Sequence, residues 1–149
     1  MKLSTERILT THVGSLPRPQ EVVDVLFAQD RDETLDAAQF DATVRRAVAE
    51  VVRLQVESGV DVVSDGEMGK ISYSTYIRHR LTGFEGDSPR PTPQDLDDFP
   101  DYRDRLVKEG HSATYKRPVC RGPVGVKTLE PVRQDISRLK EAVQGAGVT

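Results

Sequence analysis

Two short stretches carry the residue types from which a polar site is built. In the first, His12-Val13-Gly14-Ser15, an imidazole, a glycine and a hydroxyl stand side by side. Glycine lets a ligand approach the backbone closely, and Ser15 offers both a hydroxyl and an amide. The second, Asp61-Val62-Val63-Ser64-Asp65-Gly66-Glu67, is acidic. If an extended chain continues through it, alternation puts Asp61, Val63, Asp65 and Glu67 on one side. Two carboxylates flanking a glycine can hold an ammonium group, a divalent cation or a proton in transit. Each stretch also has a purely structural reading. The first would then be a strand end whose serine satisfies the backbone, and the second an Asx-type turn followed by a helix cap.

The remaining metal-binding and nucleophilic side chains form no further pattern. His79, in Arg78-His79-Arg80, reads as part of a solvated helix face, and His111 follows Gly110 in a loop. No histidine pair has i, i+4 spacing, and no His-x-Cys occurs. Cys120, between Val119 and Arg121, reads as a small buried hydrophobe in a strand. A zinc site built within this chain alone is therefore not expected.

The elements that must position the two stretches follow from periodicity. Ile8 to Val13 is β-branched and stops at Gly14, which predicts a buried strand, and Pro17-Arg18-Pro19 makes a loop at its C-terminal end. Glu21 to Gln29 is a short helix with Val22, Val25 and Leu26 on one face. Asp36 to Ser58 is the clearest helix, with Phe40, Val44, Ala47, Val48, Val51 and Leu54 as its apolar stripe and Gly59 as its stop. Val60 to Ser64 is a second strand. Strand, helix and strand joined tightly imply a βαβ unit and a parallel pair, so both polar stretches fall at strand C-terminal ends, where such folds place active sites.

Beyond Glu67 the spacing predicts a helix over Ser72 to Leu81, with Tyr73, Tyr76 and Ile77 on one side. A Pro- and Asp-rich surface excursion follows at about 86–110, carrying a short helix around Tyr102 to Lys108. A third strand within Thr114 to Val126 and a helix over Leu129 to Val143, with Val132, Ile136, Leu139 and Val143 in register, complete the reading. The order is β-α-β-insert-β-α. This is the grammar of a (β/α)8 barrel, which needs about 250 residues. The expected fold is α/β, a single incomplete domain amounting to about half a TIM barrel, truncated, with helices outside an open parallel sheet of three or four strands.

Composition agrees with a globular chain and excludes several classes. Of 149 residues, 36% are apolar and 30% charged, and the mean hydropathy is −0.50. Disorder, collagen and coiled coil are set aside. No run of about 18 apolar residues exists, so no membrane helix is expected, and Met1 to Glu6 has no apolar signal core. The 24 acidic and 21 basic residues are interspersed, for a net charge of −3, so no nucleic-acid footprint is present. A single cysteine precludes a disulfide framework and points to a reducing, cytoplasmic setting.

Thr10-Thr11-His12-Val13-Gly14-Ser15-Leu16-Pro17-Arg18-Pro19, then Val51-Val52-Arg53-Leu54-Gln55, then Gly59 to Glu67, resemble the cobalamin-independent methionine synthase family. The likeness is to its shorter, single-barrel members and covers the first half of such a barrel. It implies a TIM-barrel fold and zinc-dependent methyl or alkyl transfer to a thiol, of the 5-methyltetrahydropteroyltriglutamate–homocysteine S-methyltransferase type. No cobalamin is involved, and the partners are a homocysteine-like thiol and a methyl-folate donor. The resemblance places Val13, Gly14 and Ser15 against the amino-acid part of the thiol and Glu67 at its amino group, with Asp65 and His12 as further candidates. Classical members carry histidine where Asp65 stands and lack His12. The folate-contacting Arg-Cys pair has no adjacent counterpart, Arg117 and Cys120 lying only near each other. The zinc ligands implied by the family come from the second half of the barrel, so they are expected outside this chain. Other readings of the same grammar are a catalytically incomplete half-barrel or binding module, an epoxide–coenzyme M transferase, and a uroporphyrinogen decarboxylase-like enzyme. Half a barrel leaves sheet edges unpaired, so self-association is also expected.

Overall fold

A computed structural model describes residues 3–88, 94–108 and 117–147. His111 and the start of the third expected strand, 114–116, lie outside the described residues. Among the described residues six helices and two short strands follow one another: α1 (Gln20–Asp30), α2 (Ala37–Glu57), α3 (Tyr73–Arg80), β1 (Phe84–Glu85), α4 (Gln94–Asp98), α5 (Pro100–Lys108), β2 (Val119–Cys120) and α6 (Glu130–Gly145).

Helix α2 is the spine. Asp36 caps it by accepting from the amides of Ala38 and Gln39, and Gly59 follows its end at φ +79°, a left-handed conformation that costs glycine little. Its buried stripe is Val44, Ala47, Val48, Val51 and Val52, which meet Val22 and Leu26 of α1, Met68 and Ala142 of α6. Each fully buried valine contributes about 1.5–3 kcal/mol of transfer free energy. The stripe is rotated from the expected one. Leu54 is exposed and Gln55 is buried, because Gln55 grips the backbone of Ser64 through both ends of its amide, at 2.8 and 3.0 Å.

Helix α6 lies along α2, and its closest ties are polar. The buried Arg138 donates to Asp41 of α2 at 2.8 and 2.9 Å and to Asp135 at 3.1 Å, and the Tyr76 hydroxyl of α3 reaches Asp135 at 2.5 Å. This orientation differs from the expected stripe: Ile136 faces solvent, and Arg138 and Ala142 take the buried positions. In α3 the buried residue is Thr75, and Tyr73 is exposed. His79 is half-buried rather than solvated, and that burial lowers its pKa.

The βαβ connection is present as a parallel bridge, Thr11 to Val62, with the Thr10 carbonyl accepting from the amides of Asp61 and Val62. Neither segment is a buried strand. Ile8 is 86% and Val13 87% exposed, because among the described residues nothing covers the face they present. The third strand also departs from expectation. Val119–Cys120 pairs antiparallel with Phe84–Glu85, so the described residues hold no parallel sheet of three strands. Phe84–Glu85 follows α3 within a few residues, and α4 and α5 intervene before its antiparallel partner returns beside it. Cys120 is exposed there, not a core residue. Among the described residues, no helix is long and apolar enough to cross a membrane.

Candidate functional site

The two polar stretches meet at the C-terminal end of the parallel bridge. Below the site, Asp61 does not join it. Its carboxylate pairs with Arg7 and accepts from the Thr10 amide and hydroxyl at 2.9 and 3.1 Å, and these donors hold its pKa far below the usual carboxylate range. Above Val62 the chain stops alternating. Gly66 and Glu67 both take φ +59°, and the Met68 amide returns to the Asp65 carbonyl at 3.3 Å, closing a turn with two left-handed central residues. Gly66 suits that conformation, and a Cβ there would come within 3.1 Å of Leu16. Glutamate does not suit it: a left-handed non-glycine residue costs about 1–2 kcal/mol. Strain of this kind persists only where surrounding contacts impose it.

Those contacts are specific. Met68, fully buried, plugs the turn into the core. The Leu16 amide donates to the Gly66 carbonyl at 3.0 Å. Arg18, held between Pro17 and Pro19, donates to the carbonyls of Glu67 at 3.0 and 3.3 Å and of Lys70 at 2.8 Å, and to the Ser15 oxygen at 3.2 Å. Burial lowers the Arg18 pKa, with Glu67 and Asp65 acting against that shift. The Asp65 carboxylate accepts from the Glu67 amide at 3.0 Å and lies 3.7 Å from the Lys70 ammonium.

The Glu67 side chain is thereby presented at the edge of the loop with both oxygens engaged. Ser15 donates to Oε2 at 2.5 Å and Tyr73 to Oε1 at 2.8 Å. The Ser15 hydrogen bond, then that of Tyr73 and the positive charges of Lys70 and Arg18, hold its carboxyl below the ordinary glutamate range against partial burial. The group is an anion at neutral pH, and each oxygen keeps a lone pair for a further donor.

Of the residues expected at the site, Ser15, Asp65 and Glu67 are brought together. Gly14 and Val13 form the adjoining loop, and the His12 ring turns back to the Gly14 carbonyl at 3.1 Å without meeting the carboxylates. Arg18, Lys70, Tyr73 and Gln55 were not anticipated. The Pro-Arg-Pro run was the available signal for Arg18, because an arginine fixed in an extended loop presents its fork to whatever backbone lies opposite.

No group of three or more histidine, cysteine, aspartate or glutamate side chains among the described residues is arranged to hold a metal. His12 and Cys120 belong to different parts of the fold, and Asp65 is occupied by Lys70 and a backbone amide. The donor set here does not fit the zinc implied by the resemblance, and no chemical step is drawn through it.

Two extended segments joined through α2 and bridged in parallel thus carry a pair of polar loops at their C-terminal ends. Residues 8–89, more than half of the chain, match the family described as the cobalamin-independent synthase catalytic domain, and the chain belongs to that family. Among its relatives is the 5-methyltetrahydropteroyltriglutamate–homocysteine methyltransferase of Synechococcus sp. (strain JA-2-3B'a(2-13)), 26% identical over 156 residues, covering 91% of this chain and 20% of that protein. The protein of the same name from Thermosynechococcus vestitus is 28% identical over 158 residues, with the same coverage. The methionine synthase of Sulfolobus acidocaldarius is 33% identical over 76 residues, 51% of this chain and 22% of that protein. The chain spans about a fifth of the length of these relatives.

Proposed function

We propose that this chain supplies the substrate-anchoring rim of a methionine synthase-like methyl or alkyl transferase, as the N-terminal portion of its catalytic barrel. In this reading Glu67 binds the ammonium group of a homocysteine-like amino-acid thiol, and Val13, Gly14 and Ser15 lie along the rest of the amino-acid moiety. Asp65 and His12 take supporting places, through Lys70 and through the Gly14 carbonyl. The methyl donor is a methyl-folate of the kind the relatives' names state, and the setting is cytoplasmic.

One observation carries the reading. An ionised glutamate is held in a strained left-handed backbone at the end of the parallel bridge, its carboxylate aimed by a serine 52 residues away. A helix cap needs no such strain, whereas an ammonium ligand gains about 1.5–3 kcal/mol from a charge-assisted bond to it. The exposed Ile8, Val13 and Val62 of the parallel-bridged segments are in this reading surface that the rest of the barrel covers, and they promote self-association of the chain.

Calorimetric titration of the chain with L-homocysteine and with 4-mercaptobutyrate, the same thiol without its amine, tests this. Binding of the first about tenfold or more tighter than the second supports the ammonium site. Equal affinities, or no binding of L-homocysteine, would overturn it.

A further inference from the structure

Tyr73 enters the site as a donor to the central carboxylate, and its own oxygen faces outward beside it. It is the first residue of α3, and it is 65% exposed. A buried phenol must find a hydrogen-bond partner, but an exposed one can bond water at no loss. Its 2.8 Å bond to Glu67 Oε1 is therefore not demanded by burial. The position is fixed from both sides. Ser72 and the buried Thr75 cap the helix reciprocally, each side chain bonding the other residue's amide at 3.3 Å. Lys70, tied to Asp65, lies 6.0 Å from the ring centroid.

We infer that Tyr73 is a specificity-determining residue of this site, its phenol oxygen forming with the two Glu67 oxygens a three-acceptor seat that selects a primary ammonium over an N-alkylated one. The inference rests on the reading of Glu67 as an ammonium-binding residue. A phenol has one proton and two lone pairs. Tyr73 commits the proton to Oε1, so its oxygen faces a ligand as an acceptor only. The Ser15 proton is likewise committed to Oε2. The phenol oxygen lies 2.8 Å from Oε1 and so stands beside the carboxylate as a third acceptor, and a primary ammonium has three N–H donors to satisfy. An N,N-dimethyl ammonium has one N–H, which Glu67 takes, and its methyl groups displace water from the phenol oxygen without donating to it. The same phenol bond also helps to keep Glu67 ionised.

The test is calorimetric titration of the wild-type chain, Tyr73→Phe and Glu67→Gln with L-homocysteine and with its N,N-dimethyl derivative, alongside carbon-13 titration of the Glu67 carboxyl. Tyr73→Phe keeps the ring and removes only the oxygen. It is expected to weaken L-homocysteine about tenfold and the dimethyl derivative by no more than about twofold, while raising the Glu67 pKa. A Tyr73→Phe chain that binds L-homocysteine like wild type, or loses equally on both ligands, overturns the inference. If Glu67→Gln still weakens L-homocysteine in that case, the parent reading survives. Failure of Glu67→Gln to weaken it, or of wild type to bind it, removes both.

Discussion

The Ser15 hydroxyl lies 2.5 Å from Glu67 Oε2, joining the loop after the first extended segment to the loop after the second. It is a contact between two turns, not between strands, and it lies just beyond the parallel bridge of Thr11 and Val62. Ser15→Ala removes the shorter of the two hydrogen bonds that Ser15 and Tyr73 make to that carboxylate. The Glu67 pKa should rise toward the ordinary glutamate range, and stability should fall by about 1 kcal/mol. Carbon-13 titration of the carboxyl checks the first and urea unfolding the second. An unmoved Glu67 titration would mean that the serine is incidental.

Arg18 should not tolerate lysine. Its fork reaches two backbone carbonyls and the Ser15 oxygen at once, and a single ammonium cannot reproduce that geometry. Arg18→Lys is expected to cost about 1.5–3 kcal/mol and to speed amide exchange between Gly66 and Lys70. Exchange unchanged in that turn would contradict its assigned role.

Gln55→Leu is the corresponding test on the helix side. Leucine fits the apolar stripe but leaves the Ser64 amide and carbonyl without the partners Gln55 provides. A loss of about 2–3 kcal/mol is expected, despite the gain in hydrophobicity. A stabilised variant would show that the amide grip contributes nothing.

What was legible in the sequence follows from these contacts. Helix α2 and its Gly59 stop, and the meeting of Ser15 with Glu67, came from side-chain period and from the rule that βα loops gather at one end. Residues whose partners are backbone atoms did not. Gln55 and Arg18 bind carbonyls and amides, and a carbonyl carries no sequence signature. The paired left-handed residues at Gly66-Glu67 broke the alternation that had put Asp61 beside Glu67. Leu54 and Ile136 were assigned to a core by helical spacing and Cys120 by its strand setting, and all three are exposed.

Acid should destabilise the chain from a defined side. Asp41, chiefly through its hydrogen bonds to Arg45 and Arg138, and Glu67, chiefly through Ser15, have folded pKa values below their ordinary ones. The unfolded chain therefore binds protons first as pH falls. Stability from these groups is complete above the ordinary carboxylate range and is lost as pH drops through their lower folded values. Melting temperature should decline gently as pH falls through the ordinary histidine range, because half-buried His79 has a lowered pKa, and fall further below about 4, with the Asp41 share absent in Asp41→Asn. Stability that rises on acidification would contradict the ion pairs described for α2 and α6.

The ammonium-binding role of Glu67 is tested most directly by titrating L-homocysteine into the wild-type chain and Glu67→Gln at pH 7, each checked by its melting temperature. The account predicts that the neutral isostere binds about 10- to 100-fold more weakly, the scale of one charge-assisted hydrogen bond, in a chain that remains folded. Wild-type affinity in a folded Glu67→Gln chain would contradict it and leave the carboxylate as a turn residue.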